Sequence, residues 1–198
     1  LVADFVGNPS INFVEAKGEQ AADGSIRLTM LDGVTAVFYP ETPVDMTEWF
    51  AERNRLEREL EAHRHALLTD KKAVEKGNKD ENFQYHIAKV DEEDYGILEE
   101  PVITDGDFVL GIRPECLELS CHGGLEAEIY GAMPTGMEST VKLRVGQYLL
   151  TGVVFGKSTY RIGEKANIDI KGKDILLYDR KSGRFVAAGA CRMENQVV

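Results

Sequence analysis

Short runs rich in β-branched, aromatic and other apolar residues, each cut off by a turn-forming residue, recur along most of this sequence. "INFVEAK", "SIRLTML" and "VTAVFYP" are separated by Gly-containing breaks at Gly18, Gly24 and Gly33. The texture returns from residue 107 as "DFVLGIRP", "GLEAEIYGAM", "STVKLRVG", "YLLTGVVF", "KANIDI", "DILLYDR" and "RFVAAG". Strand-sized segments punctuated by Gly and Asp predict a meander of short strands closing into an antiparallel barrel or sandwich. The fold class is therefore mainly β.

One stretch breaks the pattern. Across residues 42–77, Trp49, Leu56, Leu60, Leu67 and Val74 recur at spacings of seven or four within a segment dense in Glu, Arg and Lys. That is one stripe of a helix. Thr42-Pro43 offers an N-cap with proline at the first helical position, and Asp45 with Glu48 offers an overlapping capping box. Lys71, Lys72 and Lys76 suit the negative end of the helix dipole, Gly77 can end the element, and a break near Thr69-Asp70 would give two helices. Trp49, Leu56 and Leu60 are expected to be buried against the domain's own strands, with a partner-binding surface as the alternative. "NFQYHIAKV" then alternates as a strand, and "DEEDYGILEE" reads as an acidic loop. The organisation expected is a β-rich domain built from 1–40 and 82–190, an inserted helical segment at 41–81 and a tail at 191–198.

At 198 residues the chain is long enough to bury roughly 70% of its extended surface and needs no covalent staples. A net charge of −11 argues against a nucleic-acid partner, which would require clustered Lys and Arg, and against an anionic membrane surface. No apolar run approaches membrane-spanning length. Cys116, Cys121 and Cys191 make an odd count that fits reduced thiols in a cytoplasmic compartment. No signal peptide is visible, and a chain starting at Leu1 is expected to be part of a longer protein.

Catalytic chemistry is offered and then withdrawn. "GVVFGKST" at 152–159 approaches a phosphate-binding loop, but only three residues separate Gly152 from Gly156 where the motif needs four. The residues after Lys157 and Ser158, "TYRIGEKANIDIK", suit strand and turn, whereas a phosphate cradle must open a helix. The expectation is a strand, Tyr148 to Phe155, ending in a turn. Cys116, Cys121 and His122 invite zinc, but no second ligand pair lies downstream at a usable spacing. His63 and His65, two apart on a helix, point to different faces. His86 has no evident partner, and Ser10, Ser120 and Ser158 lack a nucleophile-elbow context. No catalytic or metal residues are assigned, and no cofactor is expected in this fragment.

Two stretches carry a family likeness. "VADFVGNPSINFVEAK" at 2–17 resembles the segment that leaves the nucleotide-binding domain in ATP-binding subunits of carbohydrate ABC importers. There the pattern F-[IV]-G-x-P-x-[ML]-N-F is typical, and Ile11 here stands where Met is frequent. "VLGIRPECLEL" at 109–119 is similar to that family's LGIRPE strand, and the sequence from "AEIYGAM" to "RFVAAG" is similar to the remaining strands of the same C-terminal domain. The likeness covers 1–40 and 105–190. Residues 41–100 are longer and more helical than the family usually shows, and the chain has no Walker A, signature or Walker B sequence.

The resemblance implies an OB-like (TOBE) regulatory domain that helps two ATPase subunits dimerise and receives regulatory signals. ATP and Mg would belong to the absent ATPase domain of the parent subunit, which couples hydrolysis to sugar uptake. The implied partners are a second copy, that ATPase domain and the membrane permease subunits, at the cytoplasmic face of the membrane. It also makes Gly111, Arg113, Pro114 and Glu115 the candidate regulatory or dimer-interface residues. The alternative is a free-standing β domain that binds a small oxyanion or sugar phosphate.

Overall fold

The computed structural model describes residues 10–69, 87–89, 102–120, 124–156 and 159–194. Within β2 (Ile26–Met30), Ile26, Leu28 and Met30 are buried while Arg27 and Thr29 face outward. That two-residue period holds one face of the strand against a core. β2 pairs antiparallel with β1 (Asn12–Gln20) and with β3 (Val34–Pro40). β11 (Phe185–Met193) pairs with β3, β10 (Ile175–Asp179) pairs with β11, and β4 (Asp107–Ile112) lies between β10 and β1. The result is a closed six-stranded antiparallel barrel in the order β1-β2-β3-β11-β10-β4. The predicted barrel with an inserted helix is what forms.

Between β4 and β10 the chain leaves the barrel and builds a second sheet. β5 (Leu117–Ser120), β6 (Leu125–Thr135), β7 (Glu138–Val145), β8 (Tyr148–Phe155) and β9 (Lys165–Ile170) pair in the order β5-β9-β6-β7-β8. The two ends of this sheet curl together, so that a Cβ on Gly152 of β8 would come into ordinary van der Waals contact with Leu119 Cδ1 (3.4 Å) and Leu117 Cβ (3.8 Å) of β5. One hydrophobic cluster runs through both sheets, from Val14, Phe38 and Leu177 in the barrel to Ile129, Val141 and Leu143 beyond it. β11 also takes in residues 191–193 of the expected tail, with Cys191 buried. Of "NFQYHIAKV" only 87–89 are described. There Leu149 N–H donates to Ala88 O at 2.9 Å, and Lys89 bridges to Tyr148.

The helix is α1 (Met46–Thr69), which starts later than Thr42-Pro43 would place it. Asp45 is the cap: its carboxylate accepts from the backbone N–H of Thr47 at 2.8 Å and of Glu48 at 3.1 Å. Gln20, at the end of β1, accepts from Met46 N–H at 2.9 Å and donates to Val44 O at 2.7 Å, so the barrel sets where the helix begins. Two first-turn donors satisfied by a carboxylate outweigh what proline at the first position offers. The expected stop at Gly77 and the break at Thr69-Asp70 lie outside the described residues.

The expected buried stripe is corrected by the structure. Met46 is buried, and Trp49 and Phe50 pack partly against the core, but Leu56 is only half-buried. Leu60 is 61% exposed and Leu67 47% exposed. The barrel surface runs out before the helix does, and residues 58–67 are all exposed. What fastens the first half is Arg53, 1% exposed, whose guanidinium bonds to both oxygens of the buried Asp179 at 3.1 and 3.2 Å and to Asp105 at 2.6 Å. It also lies over the Phe50 ring, which stacks on Phe108 of β4. Removing one partner of such a pair strands the other charge in the interior. Arg53→Ala is therefore expected to cost about 3–5 kcal/mol in urea unfolding, whereas Leu60→Ala should stay within about 0.5 kcal/mol. A Leu60→Ala loss of core size would contradict the exposure of that side chain.

Candidate functional site

The segment Gly111–Glu115 lies where the barrel hands the chain to the second sheet. β4 stops at Ile112 because Pro114 has no N–H to give a ladder. Pro114 instead opens a single 3-10 turn, Pro114–Cys116, with Arg113 extended at its start. Arg113 O accepts from Cys116 N–H, and Cys116 O accepts from Lys171 N–H, both at 2.9 Å. The turn is thereby tied to the end of β9.

Side chains alternate across this turn. Pro114 and Cys116 are buried, whereas Arg113 and Glu115 face solvent. Among the described residues no ion pair joins Arg113 to Glu115, so the two charges are presented separately. Burial raises the Cys116 thiol above its ordinary value, and the neighbouring Glu115 carboxylate adds to the shift. Gly111 is set by close packing: a Cβ would lie 3.0 Å from Ile11 Cδ1 and 3.4 Å from both Leu176 Cβ and Tyr178 Cε2. The four candidate residues thus divide in two. Gly111 and Pro114 shape the backbone, and Arg113 and Glu115 carry the charge that the segment shows to solvent.

Two clamps, neither singled out from the sequence, hold this junction. Asn12, in β1 and 7% exposed, donates from Nδ2 to Ile112 O at 3.1 Å and to Thr151 O at 2.8 Å. Its Oδ1 accepts from Thr151 N–H at 2.7 Å. β8 is the edge of the second sheet, and the amide satisfies the backbone of Thr151 on its unpaired side. The second clamp is the β2–β3 turn, where Leu31 and Asp32 have φ of 48° and 59°. Left-handed backbone costs a non-glycine residue about 1 kcal/mol. Here it buries Leu31 and aims Asp32 at the second sheet, where its carboxylate accepts from Tyr148 Oη at 3.0 Å and Gln147 Nε2 at 2.9 Å. Burial, then Asp32, raises the Tyr148 hydroxyl above its usual value.

The sequence held faint signals for these residues. Asn12 is the polar member of the apolar run "INFV", and Arg53 falls four residues after Trp49 and three before Leu56, on the same stripe. Of the other residues weighed, His63 and His65 are exposed on α1, and Ser120 closes β5. Ser10 is exposed just before β1. β8 ends at Phe155 as expected, and the described chain from Thr159 runs through coil and a turn into β9 without a helix. Cys121, His122, His86, Lys157 and Ser158 lie outside the described residues. Among the described residues no group of three or more His, Cys, Asp or Glu is placed to hold a metal, and no helix is long and apolar enough to cross a membrane.

No protein-family model matches the chain, and no curated protein matches it. Its reading therefore rests on residues and geometry.

The geometry sets two expectations. Asn12→Ala should cost about 1–3 kcal/mol, since it leaves Thr151 unpaired in the interior. Asn12→Asp places a second acceptor against two carbonyl oxygens and should cost more at neutral pH, the excess shrinking as acid protonates the new carboxyl. Unfolding curves at pH 7 and pH 4 check both. Separately, the hydrogen bond from Arg53 holds the Asp105 carboxyl below its ordinary value, against the opposing effect of burial. Its contribution to stability is present above the unfolded-state value, about 3.9, and is lost as pH falls through the lower folded value. Asp105→Asn should therefore flatten the acid limb of the stability curve. An unchanged acid limb would remove Asp105 from the network.

Proposed function

We propose that this chain is the regulatory and dimerisation domain of the ATP-binding subunit of a carbohydrate ABC importer. The observation that carries the reading is where the two family-like stretches meet. Residues Asn12–Lys17 of the first pair one to one with Asp107–Ile112, and so with the "VLGI" of the second, along a single antiparallel ladder. Asn12, from the motif's N-F, also bonds to Ile112 O immediately before the R-P-E turn. Segments far apart in sequence thus share one ladder, with Arg113 and Glu115 just beyond its end and exposed. The closed barrel is compatible with the OB-like domain of that family.

In this reading the fragment performs no catalysis. ATP and Mg bind in the absent ATPase domain, and the subunit sits at the inner face of the membrane through its permease. Arg113 and Glu115 contact a second copy or the ATPase domain. The test uses the full-length subunit, after the reading frame upstream of Leu1 is inspected for a Walker A and a signature sequence. Arg113→Ala and Glu115→Ala are expected to weaken dimerisation or sugar-regulated uptake while leaving the melting curve in place, as exposed substitutions do. Normal dimerisation and uptake in both variants would reduce the motif to a strand end. For the 198-residue chain, calorimetry with Mg-ATP should show no micromolar binding. A saturable signal lost on Lys157→Ala would overturn that expectation.

A further inference from the structure

β8 is the last strand of the second sheet, and its outer edge is treated unevenly along its length. Asn12 takes both the N–H and the C=O of Thr151. Two residues earlier, Leu149 N–H donates to Ala88 O at 2.9 Å, in a stretch that bridges antiparallel to Tyr148. In an antiparallel ladder every second residue turns its backbone groups the same way. Val153 and Phe155 therefore direct theirs outward as Leu149 and Thr151 do, and among the described residues nothing receives them. The other margin of this projecting end is closed chemically. β6 runs on past its pairing with β9, which ends at Glu128, and Pro134 stands in the extension with no N–H to offer a further strand. β8 has no such guard. Its last residue is Phe155, 71% exposed, on the face that also carries Val153, Thr140 and Met133.

We propose that the β8 edge at Val153 and Phe155 is a strand-acceptor site for an extended, basic segment of another protein, added antiparallel. Main-chain groups select the conformation. Two alternate residues facing outward offer about four hydrogen bonds to a strand, and a helix has no backbone groups left to meet them. The edge already takes chain in this way at Leu149, so the site continues an existing pairing. Side chains select the sequence. Glu138 lies directly across from Phe155 on the same face, and its carboxylate has no ion-pair partner among the described residues. A lysine or arginine opposite Phe155 lies over the ring with Glu138 beyond it, and the net charge of −11 favours its approach. A β-branched residue two positions later falls opposite Val153. A second copy's own edge would offer only Val153 and Phe155, with no cation for Glu138. The site is independent of the transporter reading.

The probe is a synthetic peptide with arginine two residues before valine in a run of threonines, titrated into the full chain and followed by NMR and amide exchange. In the protein alone, Val153 and Phe155 amides should exchange quickly, and those of Leu149 and Thr151 slowly. The peptide should slow Val153 and Phe155 by about tenfold or more, and N-methylating its two bonding amides should weaken binding by a similar factor. Val153→Pro should abolish binding with melting nearly unchanged, because the N–H it removes faces away from β7. Glu138→Gln leaves the strand itself intact, and should weaken the arginine peptide but not an all-threonine analogue with the same valine. Peptide without effect on the two amides overturns the proposal, as does equal binding of the N-methylated form. Slow exchange at Val153 and Phe155 in dilute protein alone would mean that the edge is already covered within the chain. Protection that grows with protein concentration alone would give the edge to a second copy. Either result also overturns it.

Discussion

Three hydrogen bonds from one amide decide how the two sheets of this protein meet. Asn12 commits its whole planar group to backbone atoms of two strands, Ile112 in the barrel and Thr151 at the edge of the second sheet. A hydrophobic interface has little preference for register, because sliding two apolar faces changes the buried area only slightly. A buried amide does have one: shifting β8 by a residue would leave both its donor and its acceptor unmet. The continuous core holds the sheets together, and Asn12 sets the alignment. Asp32 adds a second tie at the start of β8, through the side chains of Tyr148 and Gln147, at the expense of two left-handed residues in its own turn.

This alignment gives the chain's exposed features their positions. Arg113 and Glu115 project from a turn whose backbone is bonded on both sides and whose buried face is filled by Pro114 and Cys116. α1 is mounted differently. Its near end is locked by Asp45, Gln20 and the buried Arg53–Asp179 pair, and its far end stands clear of the barrel. The molecule thus presents a fixed corner and a projecting rod.

Much of the β architecture was legible because it depends on local patterns. Alternation and turn residues located nearly every strand, and β8 came out with its observed limits, Tyr148 to Phe155. The division into a barrel and a second sheet was not legible, since it depends on which strands pair, and Val, Ile and Thr look alike on either side of that choice. The helix failed at Leu60 for a related reason. A stripe records which face is apolar, but not how far the surface beneath it extends. For the candidate site, the strand end at Pro114 came from proline's missing donor. Asn12 and Arg53 did not stand out, because the backbone and carboxylate partners that fix them lie 52 to 139 residues away and single polar residues carry no period.

The order in which the barrel is assembled has a consequence for its synthesis. β1, β2, β3 and β4 emerge first, but the ring closes only when β10 and β11 arrive, after the whole second sheet has been made. Until then β3 and β4 are open edges, each a template for pairing with a strand from another molecule. Closure joins positions that are distant along the chain, the kind of topology that folds slowly. A nascent or truncated chain ending before Ile175 would therefore carry most of the barrel's hydrophobic residues without its last two staves. The two closing strands decide whether the earlier ones are a folded ring or an aggregation hazard.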